Sequence, residues 1–227
     1  MPRREYGQEC SFATALDAIG ERWSLLIVRE LLLGPLRFSD LARLVGGAPT
    51  DVLTKRLRDL EEDGVVRRRQ LDPPASATVY ELTDLGRGLE RPLVELGRWG
   101  MRLQRLPDVV GLPPTSLANA LRAILQPPPA AALTVGLRSE GHNFNVRLED
   151  GHVTASRGEA SAPDIVLAGA PVEVLAALVI GGPIEDQIEI KGDRSLLEQL
   201  RSMVVIPAHL RDEAMEAFGA GAVAVSG

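Results

Sequence analysis

The chain has 227 residues, of which 45% are hydrophobic and 25% charged, and its formal net charge is −6. This length predicts two domains, each large enough to bury a core, and the composition is typical of soluble globular proteins. No apolar run reaches the roughly 18 residues of a membrane span, and the N-terminus MPRREYGQEC lacks the apolar segment of a signal peptide. The single cysteine, Cys10, excludes an internal disulfide framework. We therefore expect a cytoplasmic protein.

Charge divides the chain into two unequal halves. Residues 1–105 hold 17 Lys and Arg against 16 Asp and Glu, whereas residues 106–227 hold 8 against 15. The first half can meet a polyanion through a local basic face, which the acidic second half would repel. Between them, PDVVGLPP (107–114) has the composition of a linker. We expect domains at 1–106 and 115–227, joined by this linker.

The first half predicts helices followed by a hairpin. A short helix at about 12–19 precedes RWSLLIVRELLL (22–33), which Gly34-Pro35 ends, and then FSDLARLV, which Ser39 can cap. The next helix begins near Thr50 and ends at Gly64. Its apolar stripe consists of Val52 or Leu53, Leu57 and Leu60. Strands at 65–71 and 78–83, joined by DPPASA, complete the order of a winged helix-turn-helix.

This arrangement indicates a surface for DNA. The helix from Thr50 would enter the major groove, and the hairpin would lie along the phosphate backbone. Since a strand alternates its side chains, one or two of the three hairpin arginines would reach phosphate, and the remainder would pair with Glu61, Glu62 or another helix acid. The alternative is a solvated strand face with salt bridges. The predicted DNA-binding residues are Ser39, Thr50, Thr54, Lys55, Arg58, Arg67, Arg68 and Arg69.

The segment after the hairpin predicts a long amphipathic helix capped by Thr83 and bent at Pro92. Its apolar residues recur every three or four positions, at Leu85, Leu89, Leu93, Leu96, Trp99 and Leu103. A partner helix would cover this stripe, which predicts a homodimer joined by residues 1–20 and 84–105. The alternative is that the helix packs only on its own second domain.

Residues 10–100 resemble the HxlR family of bacterial transcription regulators. The resemblance rests on the early cysteine, IGERWSLLIVRELLLGPLRFSDLARL, VLTKRLRDLEEDGVV and YELTDLGRGLERPLVELGRWG. It implies a dimeric winged helix that binds inverted repeats in double-stranded operator DNA, with the helix from Thr50 as the reader. Ala77 at the wing tip, where the family often has arginine, and Asp51 at the start of the reading helix depart from the family pattern.

Cys10 has two interpretations. It precedes the first helix, near Arg3 and Arg4, and both the helix dipole and cationic neighbours lower a thiol pKa. Some members of the resembled family sense oxidants through a cysteine at this place, which implies redox sensing by Cys10. The alternative is a buried thiol that packs at the dimer interface.

The second half predicts an α+β domain. A helix at Thr115–Leu125 precedes a three-stranded meander, AALTVGLRS, FNVRLE and HVTASR, whose last two strands are joined by the hairpin signal Asp150-Gly151. DIVLAG is a fourth strand, Pro171 opens a helix through VEVLAALVI, and IEIKG is a fifth strand before a leucine-rich helix from Arg194 or Ser195.

These segments resemble a sterol-carrier-protein-like domain, a family whose members hold fatty-acyl or sterol ligands between sheet and helices. The resemblance implies an apolar small ligand here, although residues at this spacing are more often plain core. The predicted ligand-binding residues are Val166, Leu167, Val174, Leu175, Leu178 and Val179.

Nothing in the sequence predicts an enzyme, a metal or a cofactor. The three histidines, His142, His152 and His209, lack metal-ligand spacing, although the first two flank one hairpin. We interpret Glu185 and Asp186 as solvated loop acids. The sequence contains no G-x-S-x-G motif and no phosphate-binding loop. Two functions remain: a transcription regulator that responds to a ligand, or a lipid-binding carrier whose helical half is a protein interaction module. Duplex binding with a steep salt dependence would distinguish them.

Overall fold

The structure is a computed structural model that describes residues 6–74, 76–104 and 112–219. It divides into two compact units between Leu93 and Val94. The predicted linker at 107–114 falls mostly outside the described residues, so its place stays a prediction. In the part of the chain that the structure describes, no helix is long and apolar enough to cross a membrane.

The first unit has the predicted order of helices and hairpin. Its elements are α1 (Ser11–Ile19), α2 (Ser24–Leu31), α3 (Phe38–Val45), α4 (Thr50–Glu62), β1 (Val66–Gln70), β2 (Thr78–Leu82), α5 (Asp84–Arg87) and the start of α6 (Glu90–Gly100). Strands β1 and β2 are antiparallel, with Arg68 opposite Tyr80. Leu36 forms an isolated bridge to Tyr80, which anchors the hairpin to the segment after α2. This unit is a winged helix-turn-helix.

The apolar stripe of α4 holds this unit together. Leu53, Leu57 and Leu60 are at most 1% exposed and belong to one cluster with residues of α2, α3 and β1, as predicted. Burying a leucine side chain contributes about 1.5–3 kcal/mol relative to leaving it exposed. The stripe therefore fixes which side of α4 faces outward.

Two sequence predictions about helix ends were wrong. Ser39 does not cap α3: the helix begins one residue earlier, and Arg37 occupies the N-cap position without a side-chain bond. The helix after the hairpin is not continuous, because α5 ends at Arg87 and Gly88 closes it before α6 begins. The break therefore precedes Pro92, which lies in the first turn of α6, where a missing N–H costs no hydrogen bond.

Thr83 caps α5 as predicted, since its Oγ1 accepts a hydrogen bond from the Gly86 N–H at 3.1 Å. A side chain at Gly86 would place its Cβ 2.1 Å from the carbonyl oxygen of Val65. Glycine at this position therefore lets α5 pass directly against the start of the hairpin.

The second unit is a five-stranded mixed sheet with helices. After the rest of α6 it contains α7 (Pro114–Ile124), β3 (Leu133–Ser139), β4 (His142–Glu149), β5 (His152–Arg157), β6 (Ile165–Ala168), α8 (Pro171–Val179), a 3₁₀ helix (Gly182–Gln187), β7 (Glu189–Gly192), α9 (Ser195–Ser202) and α10 (Ala208–Gly219). The strand order is β5-β4-β3-β6-β7. Only the β3–β6 pairing is parallel among the described strands. The predicted meander and helix order are confirmed, whereas α10 was not predicted.

Two tight hairpins shape the meander. Asp150 and Gly151 have φ of 51° and 76°, and Glu140 and Gly141 have φ of 48° and 76°. Positive φ at both central residues is the type I′ turn that matches strand twist. The sequence predicted the Asp150-Gly151 turn and missed the other, where glutamate occupies a position that usually favours asparagine or aspartate.

The sheet buries one face and exposes polar groups on the other. Along β4, Phe144, Val146 and Leu148 are at most 1% exposed, while Arg147 between them is exposed. Helix α7 contacts β4, β5 and α8, so the helices cover the apolar face. The period of two in the sequence thus fixes the inside of this unit.

Candidate nucleic-acid interface

The outer face of α4 is open to solvent. Gly46 and Gly47, with φ of 58° and 69°, form the turn between α3 and α4, and the buried leucines turn the opposite side outward. Thr50, Thr54 and Arg58 are exposed and Lys55 is half-buried, while Ser39 is exposed on α3. The structure therefore brings together the predicted residues of the reading helix on one solvent-facing surface.

Two polar side chains in the first part of α4, those of Thr54 and Asp51, have defined local environments. The Thr54 hydroxyl donates to the Thr50 carbonyl at 2.7 Å, which fixes the orientation of its methyl group. Asp51 lies in the first turn of α4, whose N-cap residue is Pro49 with no side-chain bond, so Asp51 does not cap the helix. A carboxylate in this turn is favoured by the helix dipole.

All three hairpin arginines are paired with acids. Arg67 and Arg69 lie on one side of β1 and both contact Glu81 of β2 at 2.8 Å. Arg68 lies on the other side and contacts Glu61 of α4 at 3.0 Å. The predicted pairing with Glu61 is confirmed. The pairing with Glu81, which lies on a strand, was not predicted.

Glu81 acts as a shared counter-ion. Its side chain is 12% exposed, whereas those of Arg67 and Arg69 are 60% and 45% exposed. The hydrogen bond from Arg69 contributes most to holding the pKa of Glu81 below its usual range, with Arg67 adding to it against the opposing effect of burial. Each guanidinium has five N–H donors, so these exposed arginines retain donors that Glu81 does not use.

Other cations of this unit are divided between paired and unpaired side chains. Arg56 lies between Glu21, at 3.5 Å, and Asp59, at 2.9 Å, with its side chain 11% exposed, and Arg58 contacts Glu62 at 3.6 Å. Within residues 6–74 and 76–93, the cations that have no acidic partner are Arg22, Arg37 and Lys55. Lys55 was predicted. Arg22 and Arg37 were missed because each is isolated in the sequence.

Cys10 is exposed at the N-cap position of α1. Backbone N–H groups of Ala13 and Phe12 hold the pKa of its thiol below the ordinary value. In the single chain this cysteine is therefore accessible and favours the thiolate more than a free cysteine does.

Large apolar side chains are exposed on α1 and on the segment after the hairpin. They are Phe12 on α1 and Leu85, Leu96, Trp99 and Leu103 of the predicted stripe, and with Tyr6, which precedes α1, they are between 46% and 71% exposed. In the first unit, a groove of about 470 Å³ is lined by α1, Asp63, Val65, Leu85 and Leu89.

The second half of α6 also contacts its own unit. The Arg98 guanidinium donates to the Ala123 carbonyl at 2.9 Å, and a Cβ at Gly97 would lie 3.7 Å from the Ala123 side chain. Packing on α7 therefore covers one side of α6 and leaves Trp99 56% exposed. One side of α6 therefore packs within its own unit, while the covering of its exposed side by a partner helix stays a prediction.

The predicted ligand-binding residues lie in the core of the second unit. Leu167, Val174 and Leu178 are at most 1% exposed, Val166 is 8% exposed, and Leu175 and Val179 are half-buried. A described cavity that Val166 borders has a volume of about 20 Å³. Most of these predicted residues are therefore buried inside this unit.

The polar residues considered for other chemistry are dispersed. His142 lies opposite Ser139 and His152 opposite Glu149, so they occupy different ends of β4, about 23 Å apart at the usual strand rise, and the two histidines do not meet. Glu185 is not a solvated loop acid, because it pairs with Arg201. No group of His, Cys, Asp or Glu able to hold a metal occurs among the described residues.

Known proteins match the first unit and its following helix. The family model of the HxlR-like helix-turn-helix matches residues 18–106. An uncharacterized HTH-type transcriptional regulator of Mycobacterium tuberculosis is 42% identical over 90 residues, which are 40% of this chain and 56% of that protein. The chain thus spans about half the length of this relative.

Shorter relatives are covered more completely. YvaP of Bacillus subtilis, named an uncharacterized HTH-type transcriptional regulator, is 38% identical over 88 residues, which are 39% of this chain and 82% of that protein. The solved structure of the redox regulator HypR in its oxidized form is 31% identical and covers 42% of this chain and 98% of its own, with a TM-score of 0.39. Through residues 18–106 the chain belongs to the HxlR-like helix-turn-helix family.

Proposed function

We propose that this protein is a transcription regulator that binds inverted-repeat operator DNA as a two-fold dimer. The observation that carries the proposal is the outer face of α4 in a chain of the HxlR-like family, where Thr50, Thr54 and Arg58 are exposed and Lys55 is half-buried. A helix held by its leucine stripe with a polar outer face is the element that enters a major groove.

Some side chains of the reading helix would contact bases, and others would contact phosphates. Thr54 and Lys55, one turn into α4, would contact base edges, where a threonine methyl or a lysine ammonium discriminates between base pairs. Thr50 at the helix start, Ser39 on α3 and Arg58 further along α4 would contact the backbone and fix the register. Lys55 is suited to this contact because no carboxylate competes for it among the described residues.

The hairpin arginines would contact phosphate by exchanging partners. Arg67 and Arg69 are held by Glu81, and Arg68 by Glu61, so each must share its charge between a carboxylate and the DNA. Because exposed ion pairs are worth only about 0–1 kcal/mol, this exchange is inexpensive. Neutralised phosphates would release counterions, which supplies the affinity.

Dimerisation would cover the exposed apolar residues of segments 1–20 and 84–105. Phe12 on α1 and Leu85 on α5 are 71% and 65% exposed, and the groove beside Leu85 and Leu89 is open. A second copy that supplies the same residues would bury them symmetrically. The two reading helices would then lie about 34 Å apart, one turn of DNA.

An apolar small ligand in the second unit would regulate the dimer. Such a ligand acts only if it binds the DNA-competent and incompetent forms with different affinity. Because Leu167, Val174 and Leu178 are buried, core side chains would have to move for the ligand to enter. Binding would therefore be coupled to a rearrangement of the sheet and α8.

Cys10 would add a response to oxidants. Its exposure and lowered thiol pKa favour reaction through the thiolate. Treatment with diamide should change operator affinity in the wild type and leave Cys10→Ser unaffected. Equal affinity of the wild type before and after treatment would remove this part of the proposal.

The experiment that tests the proposal is fluorescence anisotropy with duplex DNA from the region upstream of the protein's own gene. We expect binding that weakens steeply with salt, and loss of sequence preference in Thr54→Ala and Lys55→Ala. Glu198→Gln, an exposed change on α9, is the control. A lipid-binding carrier would instead bind a fluorescent fatty acid and show no salt-dependent affinity for duplex DNA.

A further inference from the structure

Arg22 stands out because it is an exposed arginine with no acidic partner in the part of the chain that the structure describes. Its guanidinium carbon lies 4.8 Å from the centroid of the Trp23 ring. Stacking on an aromatic face holds a guanidinium in one orientation while leaving the N–H groups at its edge free to donate. Arg22 is therefore a positioned cation whose hydrogen-bonding capacity is unused.

A strained turn carries this pair. The Ser24 N–H bonds the Glu21 carbonyl at 3.1 Å, so Arg22 and Trp23 are the two central residues of a β-turn. Trp23 has φ 81° and ψ −20°, the values of the third residue of a type II turn, which favours glycine. A bulky side chain in this conformation persists only where its surroundings hold it.

Two contacts hold the turn against the reading helix. The carboxylate of Glu21 pairs with Arg56 of α4 at 3.5 Å, on the side of the helix next to the core. The Trp23 ring reaches the turn before α4, where a Cβ at Gly47 would lie 3.7 Å from it. The Trp23 ring thus lies against the Arg22 guanidinium and also reaches the turn that leads into α4.

Phosphates lie beside the start of a helix that enters the major groove, because the groove is bounded by the two backbones. We propose that Arg22 binds a DNA phosphate next to the segment that α4 reads, and that Trp23 and Glu21 act as its positioning residues. This inference rests on the proposed DNA-binding function. It assigns a backbone contact to the turn before α2, outside the reading helix and the hairpin.

The comparison with the hairpin arginines explains why Arg22 is suited to this contact. Arg67, Arg68 and Arg69 must weaken a bond to Glu81 or Glu61 before they neutralise a phosphate, whereas Arg22 gives up no ion pair. Its stacking on Trp23 is compatible with a bidentate bond to phosphate at the guanidinium edge. The charge of Arg22 is therefore fully available to DNA.

Binding of the full-length protein to a mixed-sequence duplex, measured by anisotropy over a range of salt concentrations, tests the proposal. Arg22→Gln should weaken binding about three- to tenfold on every sequence and reduce the slope of log K against log salt by about 1. Arg22→Lys, which keeps the charge, should retain the wild-type slope. Arg211→Gln removes one exposed charge from α10 and should change neither quantity.

The outcomes separate this inference from the proposed function. Absence of duplex binding by the wild type at low salt would remove the proposed function itself. Wild-type affinity and slope in Arg22→Gln would overturn the inference alone. Equal losses in Arg22→Gln and Arg22→Lys with an unchanged slope would also overturn it, because they would assign Arg22 only a packing role over Trp23.

A measurement on the wild-type protein avoids any folding defect of the variants. Phenylglyoxal modifies accessible arginines, and mass spectrometry measures the modification at each one. Duplex DNA should protect Arg22 at least threefold and leave Arg211 as reactive as in the free protein. Equal modification of Arg22 with and without DNA would contradict the proposal.

Discussion

The hairpin and the helix-turn-helix differ in how they treat their positive charges. The hairpin concentrates three consecutive arginines, and all three contact Glu61 or Glu81. The helices and turns of the same unit carry both kinds of cation. Arg56 and Arg58 contact acids, whereas Arg22, Arg37 and Lys55 have no acidic partner among the described residues. Consecutive arginines in a sequence therefore do not show how many positive charges on the folded surface are free of acidic partners and available to bind DNA.

Loss of the dimer should affect both regions most strongly, because each would contact DNA twice in a two-fold complex. Phe12→Glu combined with Leu85→Glu places charges on the two most exposed large apolar side chains among the described residues of the first unit. We expect a monomer by light scattering and a loss of operator affinity of more than about 100-fold, since specific binding then depends on one half-site.

A matched control separates this effect from a general loss of solubility. Met215→Glu introduces the same charge at a side chain that is 49% exposed on α10. This variant should keep the mass and operator affinity of the wild type. A double variant that stays dimeric would show that segments 1–20 and 84–105 do not form the interface.

Truncation of a core leucine in the second unit should have the next largest effect. Leu178 is 1% exposed on α8, so Leu178→Ala should reduce the free energy of unfolding by about 2–5 kcal/mol. Denaturation in urea measures this loss. A change below about 1 kcal/mol would indicate a loosely packed, ligand-ready site in place of core.

Removal of an unpaired cation from the reading helix should change sequence preference. Lys55→Ala should cost about 1–3 kcal/mol on the operator and much less on mixed-sequence DNA, because a base contact is lost. Competition anisotropy gives both values. An equal loss on the two duplexes would assign Lys55 to the backbone.

Removing the acidic partner of the hairpin arginines should increase the contribution of the hairpin to DNA binding. Glu81→Gln removes the counter-ion of Arg67 and Arg69, so the slope of log K against log salt should become steeper by up to about 2. Arg68→Ala should weaken binding to all sequences and flatten the slope. If both variants bind as the wild type does, the hairpin does not contact DNA.

The pairing of Glu81 should also produce a small dependence of stability on pH. Its pKa is lowered in the folded protein, chiefly by the bond from Arg69. Stability from this carboxylate is therefore present above its unfolded pKa, about 4.3, and is lost as pH falls through the lower folded value. At neutral pH the free energy of unfolding of the wild type should be higher than that of Glu81→Gln by at most about 1 kcal/mol, because the arginines are exposed.

Thermal melts of the two proteins between neutral and acidic pH measure this difference. The gap should narrow as the pH falls below about 4, where the wild-type carboxylate becomes protonated. A gap that stays constant across this range would mean that the ion pairs do not contribute.

Periodicity in the sequence predicted the parts of the fold that depend on burial. The leucines of α4 and the alternation along β4 gave the inner faces directly, because helix and strand periods fix which side chains share a side. Thr83 and Asp150-Gly151 were found by local turn chemistry. The end of α5 at Gly88 was missed because the apolar spacing continues across the break.

The candidate site was predicted less completely, because it depends on contacts between distant residues. Glu81 lies 12 residues after Arg69, and only the register of β1 with β2 places them together. Arg22 was missed because its importance comes from the left-handed Trp23 and the contact with Gly47, which no local pattern encodes. Ser39 was assigned as a cap because the start of α3 was placed too late.

The central claim is that the first unit binds duplex DNA through positive charge that its acids leave available. Anisotropy of the full-length wild type with its upstream duplex, between about 50 and 200 mM salt, tests it most directly. We predict that log K falls linearly with log salt, with a slope of several units that reflects several phosphate contacts in a dimer. Binding that is absent at about 50 mM salt, or that does not change over this range, would contradict the account.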